Sequence, residues 1–168
     1  MPGLKLLTPA NFYERSWVLN DFIPFRIRNA EVKDLPVILA LLKRVELPAD
    51  DVEKFYPYFL VAEIDEKVVG TAGMEVYGKK ALVRSLAVAP EFQKRGIGKQ
   101  LLNEILVFAK NNGMEDAYLL TYNIQSLAQK LGFVQINRGE VPEEVQQSVE
   151  FRLDYCKSAT VMKINLLE

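Results

Sequence analysis

The stretch that decides the fold runs Arg84-Ser85-Leu86-Ala87-Val88-Ala89-Pro90-Glu91-Phe92-Gln93-Lys94-Arg95-Gly96-Ile97-Gly98. Its first half is an apolar run stopped by a proline, as a buried strand would be, and its second half is a basic loop with two glycines. A helix follows over Ile97 to Asn112: Ile97, Leu101, Ile105, Phe108 and Ala109 recur at helical spacing, and Gly113 stands where a left-handed C-cap belongs. The first turn of such a helix carries amide N–H groups with no intrahelical acceptor, and the helix dipole adds partial positive charge there. Gly96 and Gly98 leave room against those amides, and Lys94, Arg95 and Lys99 add charge. The pattern predicts an anion cradle suited to a pyrophosphate. It is neither a P-loop, lacking the Gly-Lys-Ser/Thr ending, nor a completed Gly-x-Gly-x-x-Gly fingerprint. On the glycines alone, a plain loop ahead of a surface helix fits as well.

Working outward, Phe25 to Arg28 reads as a short strand and Val32 to Val45 as a helix with Leu35, Ile38, Leu39, Leu41 and Leu42 on its apolar side. A weaker helix is expected over Pro48 to Tyr56. Strands are expected over Phe59 to Ile64, Val68 to Tyr77 (with a bulge near Gly70 and Gly73) and Ala81 to Val88. Beyond the long helix, the pattern gives a strand over Asp116 to Thr121, a short helix over Gln125 to Lys130 and a strand over Phe133 to Asn137. Val141 to Tyr155 is helix-prone, with Pro142 in its first turn, and Val161 to Leu166 closes as a strand. Hairpin-length turns join the middle strands, so the class is α/β (α+β) with a mostly antiparallel sheet. Residues 1–24 stand apart as an extension expected to pack on a domain spanning 25–168, through Phe12, Trp17, Val18, Leu19 and Phe22.

Composition narrows the chemistry. Of 168 residues, 21 are basic and 22 acidic, so no global field favours nucleic acid or an anionic membrane. No apolar run approaches the ~18 residues of a membrane span, and no signal-like block opens the chain, which points to the cytoplasm. With no histidine and one cysteine, Cys156, His-based bases, His-paired nucleophiles, disulfides and His- or thiolate-based metal sites drop out. No metal is expected. Catalysis must run on carboxylates, tyrosine, hydroxyls, lysine or arginine, backbone amides or a bound cosubstrate.

Gln93-x-x-Gly96-x-Gly98, after a strand ending Leu86-Ala87-Val88 and before a long helix, resembles the acetyl-CoA motif of the GNAT N-acetyltransferases. Tyr118-Leu119-Leu120-Thr121 and then Lys130-Leu131-Gly132-Phe133 resemble the second half of that family's signature. The resemblance covers about Phe25 to Leu166. It implies a twisted sheet of six to seven strands splayed between the fourth and fifth, with helices on both faces. It implies acetyl-CoA as cosubstrate: backbone of Leu86, Ala87 and Val88 against pantetheine, and Gln93, Lys94, Arg95, Gly96, Ile97, Gly98 and Lys99 around the pyrophosphate. The family's usual acid and base do not carry over, because their positions hold Ala128 and Leu82.

Gly73 to Gly78, Ala81 to Val88, Leu119-Leu120-Thr121 and the tail around Phe151 and Cys156 to Ala159 resemble one subgroup. It comprises the acetyltransferase domain of N-acetylglutamate synthase and the arsinothricin-type acetyltransferases. That resemblance implies direct attack by the primary amine of a small amino acid or analogue. Arg84, alone on an apolar strand and sharing a face with Leu82 and Leu86, could clamp a substrate carboxylate, or pair with an acid such as Glu75. Glu75 and Tyr77 could order a water that takes the ammonium proton, or be a solvated strand end. Tyr122 could protonate the departing thiolate; Thr121, Ser158 and Lys157 are weaker candidates for the acceptor. Cys156 reads as a small buried hydrophobe. Lacking histidine, the amine would lose its proton to water or to a weakly assisted chain through Glu75. A protein or polyamine acetyltransferase, with Glu143, Glu144 and Glu150 supplying an acidic groove, and a non-catalytic acetyl-CoA sensor are the alternatives. Neither nucleic acid nor membrane is an expected partner, and a homodimer is compatible with the sequence.

Overall fold

The computed structural model describes residues 16–18 and 24–168. Eight strands form one sheet: β1 (Ser16–Val18), β2 (Phe25–Asn29), β3 (Phe59–Ile64), β4 (Lys67–Tyr77), β5 (Lys80–Val88), β6 (Asp116–Thr121), β7 (Val134–Ile136) and β8 (Thr160–Asn165). Their order is β1-β2-β3-β4-β5-β6-β8-β7, antiparallel except where β5 meets β6. The count exceeds the expected six to seven because Ser16–Val18 adds an edge strand on β2. Apart from that strand and position 24, the segment 1–24 lies outside the described residues.

Alternation along the strands separates two apolar layers. Leu60, Ala62, Ala72, Met74, Ala81 and Val83 face α3 (Ile97–Asn111) and α4 (Gln125–Lys130), with Leu101, Ile105, Phe108 and Ala128 in the same cluster. On the other face Phe59 and Val61 meet α1 (Leu35–Arg44) and α2 (Val52–Phe55), and Leu82 and Tyr118 meet Val145 of α5 (Glu143–Gln146). Helices thus cover both faces, so that the central strands β3, β4 and β5 bury both of their side-chain rows over most of their length. Arg28 anchors the entry of α1, donating to Asp34 at 2.8 and 3.0 Å and to Glu63 of β3 at 3.1 Å.

Three expected helices are shorter than their apolar patterns: Pro48 to Tyr56 keeps only α2, followed by a 3₁₀ turn at Tyr56–Tyr58. The first turn of Val32 to Val45 is a 3₁₀ turn, and α1 itself begins at Leu35 with Pro36 in its opening turn. Val141 to Tyr155 is not one helix but α5 followed by 3₁₀ turns at Val149–Phe151 and Asp154–Cys156. Ser148 makes the break: its hydroxyl accepts the Glu150 N–H at 3.1 Å, offering the backbone a cap in place of a continued helix.

The feature that creates a site is in β5. β5 and β6 pair in parallel only from Lys80↔Asp116 to Val83↔Leu119, then part. At that point the register of β5 on β4 jumps from Gly73↔Arg84 to Thr71↔Ala87, giving β5 one extra residue, and Ser85 adopts a φ of 59°. This bulge bends β5 away from its neighbour. β6 stays with β8 to its end, Thr121↔Thr160. The sequence placed a bulge near Gly70 and Gly73 of β4. One register shift does fall beside Gly70, against β3; the one that opens the sheet lies across from Gly73, in β5.

Candidate active site

Two cavities meet in the opening between β5 and β6. The first, about 470 Å³, is walled by Leu86, Ala87 and Val88 of β5, the loop residues Gln93, Lys94 and Gly96, and Ile97, Gly98 and Lys99 at the start of α3. The second, about 360 Å³, reaches below it to Arg84, Glu150 and Cys156, between the chain leaving α1 and the end of β6. Val45, Leu47, Leu86, Asn123 and Ile124 line both.

Most residues of the expected cradle line the first cavity. No side chain caps the N-terminus of α3, so its opening amides keep their hydrogens for an outside acceptor. Gly96 precedes the helix with φ 85° and ψ 0°, left-handed backbone that glycine adopts without strain, and nothing lies within 4 Å of where its Cβ would be. At Gly98 a Cβ would meet only Val88 Cγ2, at 3.6 Å. The protein's own packing does not fill this space, so the residues fit a phosphate-bearing group such as the pyrophosphate of coenzyme A. Lys94 and Lys99 stand exposed on its rim. Ile97 is buried in the core and can contribute only its backbone.

Two of the expected cofactor contacts differ. Arg95 turns back over the Phe92 ring, 5.6 Å from its centroid, and reaches the Glu91 carbonyl at 3.4 Å, outside the cavity wall. The Val88 carbonyl accepts from Gln93 Nε2 at 2.9 Å, which ties the loop to the strand. Leu86, at the bulge, has no register partner on either side.

In the second cavity Arg84 is 4% exposed and is the hub. Nη1 donates to Glu75 Oε2 at 2.6 Å, Nη2 to the Pro48 carbonyl at 3.3 Å and Nε to Ser85 Oγ at 3.0 Å, while Glu150 Oε2 lies 3.4 Å from Nε. Of the two sequence readings for Arg84, pairing with Glu75 is the one present; the residue borders the cavity, but its side chain is completely buried. It shares a face with Leu82 but not with Leu86, which the bulge turns into the opposite layer.

Glu75 and Tyr77 depart from expectation. Glu75 is fully buried, with one oxygen on Arg84 and the other taking the Tyr77 hydroxyl, and neither residue lines the second cavity. Burial and the adjacent carboxylate push the Tyr77 hydroxyl well above its ordinary pKa, so it is a fixed donor. Glu75 therefore sets Arg84 in place and is not at hand for a water chain to the amine. Thr121 lines the cavity, but its hydroxyl accepts the N–H groups of Asn123 and Ile124 at 3.1 and 2.9 Å and starts α4. Tyr122, 57% exposed, stands in the cavity wall with its hydroxyl 3.0 Å from Ser158 Oγ. Ser158 itself is exposed and outside that wall, and Lys157 is paired with Asp154 at 2.9 Å. Cys156 is buried, its thiol pushed up first by burial and then by Glu150, as suits a packing residue.

The sequence reading placed Glu150 only on an acidic groove; it is 6% exposed and lines the second cavity. Burial, opposed by Arg84 and aided by Glu75 and Asp50, pushes its carboxyl up to about 7. A continuous helix would have aimed it elsewhere. The available signal was Ser148 two residues earlier, a cap residue inside a helix-prone run.

The acetyltransferase (GNAT) domain family matches residues 56–135, the stretch holding β3 to β6, the glycine loop and α3. A probable N-acetyltransferase, camello, from Xenopus tropicalis is 32% identical over 117 residues, 62% of this chain and 53% of that protein. The amino-acid acetyltransferase of Photorhabdus laumondii subsp. laumondii is 25% identical over 150 residues, 84% of this chain and 33% of that one. The chain thus spans about half of the first relative's length and a third of the second's. Among solved structures, N-acetylglutamate synthase from Neisseria gonorrhoeae, complexed with coenzyme A and L-arginine, superposes with a TM-score of 0.72 at 25% identity, covering 86% of this chain and 34% of that one. Among the described residues, no helix is long and apolar enough to cross a membrane. The glycine turn before α3, the parallel pair that parts after Val83 and Leu119, and the match over 56–135 converge: the chain carries a GNAT acetyltransferase domain.

Proposed function

We propose that the protein transfers an acetyl group from acetyl-CoA to the primary amine of a small molecule, an amino acid or an analogue of one. The observation carrying this reading is the junction of the two cavities at Leu86, Asn123 and Ile124. A pantetheine arm running from the cradle would deliver its thioester there, and an amine in the second cavity would face it. Lys94, Gly96, Gly98 and Lys99 would hold the pyrophosphate, and Leu86 the pantetheine. Bound there, the thioester supplies an activated acyl carbon and a good leaving group.

A cavity of about 360 Å³ suits a small acceptor. Its walls at Leu47, Pro48, Val83, Leu119, Leu120 and Ala159 are apolar, and two carboxylates already face Arg84. That charge balance favours an acceptor with an aliphatic or aromatic body over a dicarboxylic one. The amino-acid acetyltransferase relatives support an amino group next to a carboxylate.

The test is thiol release from acetyl-CoA against free L-amino acids, simple alkylamines, putrescine and peptides, with the product identified by mass. Turnover of a free amino acid or alkylamine is expected. Turnover of peptides alone would move the protein to the protein-modifying class, and binding of acetyl-CoA without turnover of any amine would make it a sensor.

A further inference from the structure

Neither Leu82 nor Ala128 can move a proton, and Glu75 is sealed behind Arg84 and Tyr77. A protonated amine entering the second cavity must nevertheless lose a proton before its nitrogen can attack. Two glutamates line that cavity, Glu46, which is exposed, and Glu150, whose side chain is 8% exposed and reaches the cavity from the 3₁₀ turn Val149–Phe151. We propose that Glu150 binds the acceptor's ammonium group and takes its proton, in place of the acid that the sheet lacks. The inference rests on the acetyl-transfer reading above.

Several features adapt Glu150 to that task. The Ser148 cap fixes the turn, with Ser148 2% exposed and accepting the Glu150 N–H, so the carboxylate is held without being consumed. Among the described residues the cation on it is Arg84, at 3.4 Å, and that guanidinium is already neutralised by Glu75 at 2.6 Å. Charged and titratable groups face it from each packed element: Arg84 from β5, Glu75 from β4, Asp50 ahead of α2 and Cys156 from the last turn. Burial against two further carboxylates makes its proton affinity high enough to remove a proton near neutrality, which an exposed glutamate does poorly.

The proton passes from R–NH₃⁺ to the Glu150 carboxylate, leaving R–NH₂ and a neutral carboxyl. The nitrogen lone pair then forms the N–C bond to the acyl carbon as the C–S bond breaks. The second nitrogen proton leaves with the thiolate as the coenzyme A thiol, and Glu150 returns its own to solvent.

The test compares wild type, Glu150→Gln and Glu150→Asp. The acceptor is the amine most rapidly acetylated among free L-amino acids, ethylamine and putrescine. For the wild type, kcat/KM should rise through an acid limb near pH 7. In Glu150→Gln the rate at pH 7 should fall about a hundredfold, the limb should move toward the free amine's own pKa, and acetyl-CoA affinity by calorimetry should stay within about twofold. Glu150→Asp should keep the limb at reduced kcat, and it serves if the glutamine variant fails to fold. Independently of turnover, carbon-detected NMR of glutamate-labelled protein should show one carboxyl titrating at about 7, absent from Glu150→Gln. A glutamine variant with an unmoved limb and near wild-type rate, or a Glu150 carboxyl titrating below pH 5, overturns the proposal. If wild type acetylates no amine, the acetyl-transfer reading fails, and this one with it.

Discussion

Arg84 Nη1 donates to Glu75 Oε2 at 2.6 Å with both side chains completely buried, and Glu150 closes on the same guanidinium at 3.4 Å. One cation thus holds two carboxylates out of water. Arg84→Ala should therefore destabilise the fold by ~3–5 kcal/mol, because it leaves uncompensated buried charge. Arg84→Lys should lose less, keeping the charge but not the planar set of donors. Adding Glu75→Gln to Arg84→Ala should recover part of the loss. Urea unfolding of wild type, Arg84→Ala, Arg84→Lys, Glu75→Gln and the double variant checks this; simple additivity of Arg84→Ala and Glu75→Gln would show that the pair is not coupled.

Gly73 is fixed by a close approach. A Cβ there would fall 2.3 Å from the ring of Phe59, itself fully buried beneath α1 and α2. Gly73→Ala should cost at least ~1–3 kcal/mol through overpacking. It should also loosen the register opposite Arg84, where β5 begins its bulge. Thermal melting of Gly73→Ala alone and with Phe59→Leu is the check, the second change being expected to recover part of the loss.

Most of the scaffold could be read from periodicity. β3, β6 and α4 fall on the residues expected, and α3 ends one residue early, since strong alternation or 3.6-residue spacing coincides there with clear turn residues. The glycine cradle was legible for a related reason: helix N-termini and glycines state their chemistry locally. The acceptor cavity was not. Its shape depends on an extra residue at Ser85, a serine with positive φ that no pattern rule anticipates, and on a helix-prone run broken at Ser148. Those two local departures turn Leu86 away from Arg84 and bring Glu150 toward it. An alternating pattern from Arg84 to Leu86 and a helix through Glu150 both assume continuity that the chain breaks.

The buried acids give stability opposite slopes with pH. Burial pushes the Asp34 and Glu63 carboxyls up, but the arginine hydrogen bonds from Arg28 and Arg26 more than reverse this, so their folded pKa values are lowered. That stabilisation is present above the unfolded values and is lost as pH falls through the folded ones. Glu150 is raised from 4.5 to about 7, so the folded state holds its proton more tightly and stability falls as pH rises between those values. The difference in unfolding free energy between wild type and Glu150→Gln should therefore shift by up to ~3 kcal/mol from pH 4.5 to 7, against wild type. Urea midpoints across this range measure it, and a constant difference would place Glu150 in water.

Tyr122 and Ser158 share a hydrogen bond of 3.0 Å at the cavity wall. If the tyrosine hydroxyl donates to the departing thiolate, Tyr122→Phe should lower kcat about tenfold or more with little change in acceptor KM. Ser158→Ala should leave kcat within about twofold, since the serine lies outside the cavity. Steady-state kinetics on both variants separates a chemical role for the hydroxyl from a packing one.

The most direct measurement is calorimetric titration of acetyl-CoA into wild type, Gly96→Asn and Gly96→Glu. Gly96 has left-handed backbone and empty space where a side chain would project, at the uncapped start of α3. Asparagine tolerates that backbone conformation, so Gly96→Asn should stay folded within ~1 kcal/mol of wild type while obstructing the phosphate cradle. Glutamate adds a negative charge in the same place. Losing one charge-assisted phosphate contact costs ~1.5–3 kcal/mol, so affinity should drop at least about tenfold in Gly96→Glu and measurably in Gly96→Asn. Saturable wild-type binding that weakens in that order is the expected result. Folded variants binding acetyl-CoA as tightly as wild type, or a wild type that binds none, would contradict the assignment of this cleft.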